Sequence, residues 1–278
     1  ASLSARLPET ALDGQVQIQS TGLDQLAQAQ LQFSNALPGR LDQQRLPIAR
    51  LDADLAATPK QTDRVALRQL NLLLADGKLS AGRVSGQGQW QAGVLDLALQ
   101  LHDVAPALLD ARAAPLRASG PLTLHATGLL ATATSPARPK LTLQGRLTGQ
   151  AIQGVGLPLQ LSLDADASAD GVVLRQAAAS AGEARARLSG QLMRAGAGWR
   201  LQGDAQLQAF DPLPWWRGAE GSAWRQGPHR LNGQLKADLV WRSAKTPDAN
   251  TTLDRWLQQL TGSADLNLAP SQLAARAW

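Results

Sequence analysis

Apolar residues in this 278-residue chain return at every second position, and no other feature narrows the possible folds as much. Leu157, Leu159, Leu161, Leu163, Ala165 and Ala167 alternate with Pro158, Gln160, Ser162, Asp164 and Asp166. Leu95, Leu97, Leu99 and Leu101 form a second row, and Ala27, Ala29, Leu31 and Phe33 a third. Trp199, Leu201, Gly203, Ala205 and Leu207 make a fourth, and Leu231, Gly233, Leu235, Ala237, Leu239 and Trp241 a fifth. Alternation of this length means strands with one apolar and one wet face, and sheets wet on one side are normally antiparallel. Turn signals fall between rows at Asp76-Gly77, Ala92-Gly93, Asp170-Gly171 and Ala195-Gly196-Ala197-Gly198. The expected class is all-β.

Helical periodicity is confined to short stretches. Thr252 is placed to cap a short helix near 252–260, with Leu253, Trp256, Leu257 and Leu260 on one side. Pro106 suits the start of a single helical turn within 104–113. Loops or insertions are expected near 102–118, 131–140, 211–229 and 243–252, and residues 1–278 read as one elongated unit.

Glycine carries a second pattern. Leu12-Asp13-Gly14-Gln15-Val16, Leu143-Gln144-Gly145-Arg146-Leu147, Leu188-Ser189-Gly190-Gln191-Leu192 and Leu231-Asn232-Gly233-Gln234-Leu235 each place Gly midway between two apolar residues. Roughly half of the 25 Gly residues do so, about twice what composition alone would give. Glycine on the apolar face in mid-strand lets a sheet bend, or lets another surface approach closely. A longer echo links Leu101-His102-Asp103-Val104-Ala105-Pro106-Ala107-Leu108 to Leu207-Gln208-Ala209-Phe210-Asp211-Pro212-Leu213; two copies point to internal repetition.

Composition excludes several chemistries. With no Cys, disulfides, thiolate metal sites and thiol catalysis are impossible. Three His, and Glu only at 9, 183 and 220, leave little for acid–base or metal work. Asp164, Asp166 and Asp170 have the oxygen spacing of a calcium loop but lack its terminal Glu, so they read as a wet strand face and a turn. His102-Asp103 implies no nucleophile. A net charge of +5 without a dense basic run argues against nucleic acid. No enzyme activity, metal or cofactor is expected. No leader and no apolar run near 20 residues is visible, so any anchor is expected outside this sequence.

The φ-x-Gly-x-φ strands resemble those of the TamB/AsmA-like family. So do Phe210-Asp211-Pro212-Leu213-Pro214-Trp215-Trp216-Arg217, Ser222 through Gly233, and Leu253-Asp254-Arg255-Trp256-Leu257 running into Gly262-Ser263-Ala264-Asp265-Leu266. The resemblance implies an elongated antiparallel groove, the β-taco, in a periplasmic bridge anchored in the inner membrane. It implies passage of phospholipid between inner and outer membranes, a role in outer-membrane protein assembly, and a barrel partner like TamA. On that reading the groove is lined by Leu31 and Phe33; by Leu97, Leu99 and Leu101; by Leu143 and Leu147; and by Leu159, Leu161 and Leu163. Leu188, Leu192, Leu201 and Leu207 continue it, with Leu231, Leu235 and Leu239. Trp215, Trp216 and Trp224 would form an aromatic loop at the groove edge. Few aromatics, 4 % of residues, leave such a groove room for acyl chains. Two other functions fit the residues: a scaffold that binds outer-membrane strands along its sheet edges, and a closed β-solenoid or adhesin spacer.

Overall fold

The computed structural model describes residues 10–61, 63–131, 137–151, 158–196, 198–213, 229–241, 260–273 and 276–277. The alternating rows become one antiparallel sheet of 14 strands in strict sequence order. Its first half is β1 (Leu12–Gln19), β2 (Ala27–Asn35), β3 (Ile48–Ala57), β4 (Arg64–Asp76), β5 (Leu79–Gln91), β6 (Val94–Val104) and β7 (Leu116–Thr127). The second half is β8 (Lys140–Ala151), β9 (Pro158–Ser168), β10 (Gly171–Ala181), β11 (Ala184–Ala195), β12 (Gly198–Phe210), β13 (Leu231–Trp241) and β14 (Leu260–Leu268). A two-stranded ribbon, β15 (Gln272–Leu273) with β16 (Arg276–Ala277), follows. Among the described residues each strand of the sheet pairs only with its neighbours, so β1 and β14 each keep one open edge. At the usual strand spacing the sheet extends about 60 Å across its strands.

Helix is minimal among the described residues. Pro106–Leu109 forms α1 with Pro at its start, as expected, and Leu41–Gln43 makes a 3-10 turn. Of the helix expected near 252–260 only Leu260 is described, and it opens β14. The centres of the loops expected at 131–140, 211–229 and 243–252 also lie outside the described residues.

No second layer covers the sheet among the described residues. The chain exposes 18213 Å², against about 11,500 Å² for a compact monomer of this mass. Among the described residues Leu159 is the one large side chain buried to 1 %. Two small clusters form where strand ends fold inward. In one, Leu74, Ala81 and Val104 are buried beneath Leu108 and Leu109 of α1; in the other, Leu116, Ala118 and Leu159 pack together.

The inward fold follows backbone bulges. Gly82 (φ 108°), Asp103 (φ 48°) and Gly120 (φ 140°) take left-handed conformations on the adjacent strands β5, β6 and β7. The β6–β7 register slips between Leu101 and Val104. A bulge bends its strand and re-aims the next side chain; here it turns Val104 into the cluster capped by α1.

Candidate functional site: the apolar face

Residues directly opposite one another in an antiparallel pair share a face, so the register defines a continuous apolar surface. Val16 faces Leu31, which faces Ala53, then Leu70 and Gly86. Gly86 faces Leu99, and Leu99 faces Leu122, Gly145 and then Leu163. From Leu163 the row runs through Ala177, Leu188, Ala205, Leu235 and Leu266 to the other edge.

Every leucine expected to line a groove lies on this face, and so does Phe33. Phe33 pairs with Gly14 and Leu51, Leu97 with Gly88 and Leu124, and Leu101 with Val84 and Gly120. Leu124 pairs with Leu143, and Leu147 pairs with Leu161. Leu192, Leu201 and Leu239 form one row, Leu207 faces Gly233, and Leu231 faces Phe210. Leu159 differs from the rest, being buried in the second cluster rather than open. Trp215, Trp216 and Trp224 lie outside the described residues.

Glycine keeps this face thin. A methyl group at Gly14 would strike the Phe33 ring at 2.3 Å, and one at Gly86 would meet Leu99 Cδ2 at 2.7 Å. At Gly88 it would meet Leu97 Cδ2 at 2.5 Å, and at Gly145 Leu122 Cδ1 at 2.8 Å. The large side chain of one strand therefore lies flat over the glycine of the next, so part of its surface is covered without a second layer.

Between β10 and β13 the cover is incomplete. Leu188, Leu192, Leu201 and Leu235 are 44 %, 40 %, 43 % and 38 % exposed. With Val172 and Ala237 they surround an apolar hollow of about 420 Å³ over the glycines Gly190 and Gly203. At one end of the hollow the next row is Arg194, Trp199 and Trp241, and the Arg194 guanidinium lies 5.8 Å above the Trp199 ring. The inward sides of β4 and β5 are not legible as rows in the sequence. A bulge between Leu67 and Leu70 breaks the alternation of β4, and Gly86 and Gly88 occupy two adjacent inward positions of β5 between Val84 and Trp90.

The opposite face is polar and internally paired. The Arg175 guanidinium bridges Asp164 and Asp166, and the Thr142 hydroxyl donates to Asp166 at 2.7 Å. Asp170 sits in the β9–β10 turn, its N–H on Ser168 Oγ. The geometry thus favours the wet-face reading of this acidic stretch over a calcium loop. His102 Nε2 lies 3.0 Å from Ser85 Oγ, while Asp103 forms the bulge, so His102 and Asp103 make no dyad. His125 contacts Asp96, which holds that carboxyl below its ordinary value. Among the described residues no cluster of three or more His, Asp or Glu could hold a metal, and no helix is long and apolar enough to cross a membrane. Searches against protein-family models, curated proteins and solved structures return no match to the chain.

Proposed function

We propose that this chain is a segment of a lipid conduit, a non-enzymatic protein that carries acyl chains along its apolar face. The observation that carries the reading is a leucine-lined face, continuous over 14 strands and left open to solvent between β10 and β13. Isolated apolar side chains on a surface need no explanation, but a large contiguous patch marks an interaction site. An acyl chain of about 16 carbons gains on the order of 10 kcal/mol on leaving water. The gain is spread along the chain, so no single strong site is required. The sequence resemblance to the TamB/AsmA-like family extends this reading to a periplasmic bridge that carries phospholipid and meets a TamA-like barrel through regions beyond this chain.

A second reading rests on the single-paired edges of β1 and β14, which could hold an extended outer-membrane strand by backbone pairing. One experiment separates the two. The purified chain is extracted with organic solvent and the extract analysed by mass spectrometry, alongside Leu201→Asp on the apolar face and Gln206→Asp on the polar face. The conduit reading expects phospholipid with the wild type and Gln206→Asp, and strong depletion with Leu201→Asp. Lipid absent from the wild type, or equal in all three, overturns it.

A further inference from the structure

The apolar hollow between β10 and β13 ends at a cation, Arg194. Leu192 lines the hollow, and Arg194 lies two residues further along β11 on the same face, about 7 Å away along the strand. Arg194 is exposed, with its backbone anchored in the ladder and its guanidinium in one contact. Its backbone N–H donates to Asp170 O at 2.8 Å, and its guanidinium lies over Trp199. Stacking on an indole is a cation–π contact that orders the side chain and leaves its N–H fork free along the ring edge. Among the described residues no carboxylate comes within ion-pair distance of it, whereas Arg50, Arg175 and Arg200 on the polar face each bind an aspartate. A lone guanidinium at the end of an apolar hollow is complementary to a molecule with an acyl chain and an anionic head.

We infer that the hollow over Gly190 and Gly203 is a site for one anionic amphiphile, its acyl chain between Leu188, Leu192, Leu201 and Leu235 and its carboxylate or phosphate on Arg194. The site rests on the conduit reading and deepens it, since it turns one stretch of a uniform face into a holding point that selects by charge. An Arg fork suits both head groups, because it donates two parallel hydrogen bonds to a planar carboxylate or to a phosphate.

The test is calorimetric titration of the purified chain with oleate, oleyl alcohol and an oleoyl lysophosphatidate, for wild type, Arg194→Gln and Arg194→Lys. Expected for the wild type is oleate or lysophosphatidate binding at least tenfold tighter than oleyl alcohol, and the anion bound more tightly names the head group. Arg194→Gln should remove that preference and leave oleyl alcohol unchanged, which also shows the variant folded. Arg194→Lys should retain part of it. Equal binding of charged and neutral probes by the wild type, or an undiminished preference in Arg194→Gln, overturns the Arg194 site and leaves the conduit standing. Failure of the wild type to bind any of the three overturns the hollow and counts against the conduit as well.

Discussion

Asp103 and Ala209 hold the same strained backbone at the same place in two strands 106 residues apart, with φ 48° and φ 46°. The surroundings correspond as well. Asp103 N–H donates to Ser119 Oγ at 2.9 Å, and Ala209 N–H donates to Asn232 Oδ1 at 2.8 Å. Each acceptor precedes a glycine, Gly120 or Gly233, that faces the last regular leucine before the bulge, Leu101 or Leu207. Past the bulge Val104 meets Ala118, and Phe210 meets Leu231. The echo between the two sequence stretches is thus one device used twice, in β6 and β12, to end an alternating run and swing the next apolar residue inward.

The device predicts unequal effects of glycine. A left-handed alanine is disfavoured by about 1–2 kcal/mol, whereas aspartate visits that region more readily. Ala209→Gly should raise stability by up to about 1 kcal/mol, and Asp103→Gly should be close to neutral. Asn232→Ala, which leaves the Ala209 N–H without its acceptor, should lower stability by about 1–2 kcal/mol. Urea denaturation of the three variants measures this, and a destabilised Ala209→Gly would contradict the role given to the bulge.

Burial separates two leucines of the same face. Leu159 is 1 % exposed and Leu188 44 %. Leu159→Ala should cost about 2–5 kcal/mol, as cavity-forming core truncations do. Leu188→Ala should cost less than about 1 kcal/mol yet reduce lipid recovered with the protein. Thermal unfolding and lipid extraction on the same samples test both halves.

The glycines beneath the hollow are not equivalent. A methyl group at Gly190 would lie 2.4 Å from Gln202 O and 2.8 Å from Gly203 Cα, both backbone atoms that cannot swing aside. At Gly203 its nearest atom would be Ser189 O at 3.1 Å. Gly190→Ala should therefore push β11 and β12 apart at a cost of about 1–3 kcal/mol, and Gly203→Ala should be milder. Equal stabilities in urea would show that the strand spacing yields more easily than this.

The carboxyl of Asp238 is lowered to about 2, chiefly by hydrogen bonds from Arg200, the shorter at 2.5 Å, and then by one from Gln202. A carboxyl that titrates lower in the folded chain than in the unfolded one stabilises the fold above the unfolded value, near pH 4. That stabilisation disappears as the pH falls from about 4 towards 2. An NMR titration should place the Asp238 midpoint near 2 and move it back towards the ordinary carboxylate range in Arg200→Gln. A midpoint unaffected by Arg200→Gln would dissolve the pair.

What the sequence determined alone was local. Period-two alternation in β2, β6, β9, β12 and β13 assigned each leucine to its face before any pairing was known, because successive side chains of a strand must point to opposite sides. Pro106 announced α1 for a similar reason, its ring fixing the backbone angle of a first helical turn. The tertiary structure decided what depends on two strands at once. The row of β4 was hidden by the bulge between Leu67 and Leu70, and that of β5 by inward glycines, which show themselves only beneath the leucines of β6. Likewise, Arg194 carries no signal of its own until the β11–β12 register sets it over Trp199. Alternation is written into each strand, whereas register, curvature and the meeting of a cation with a ring are properties of strand pairs.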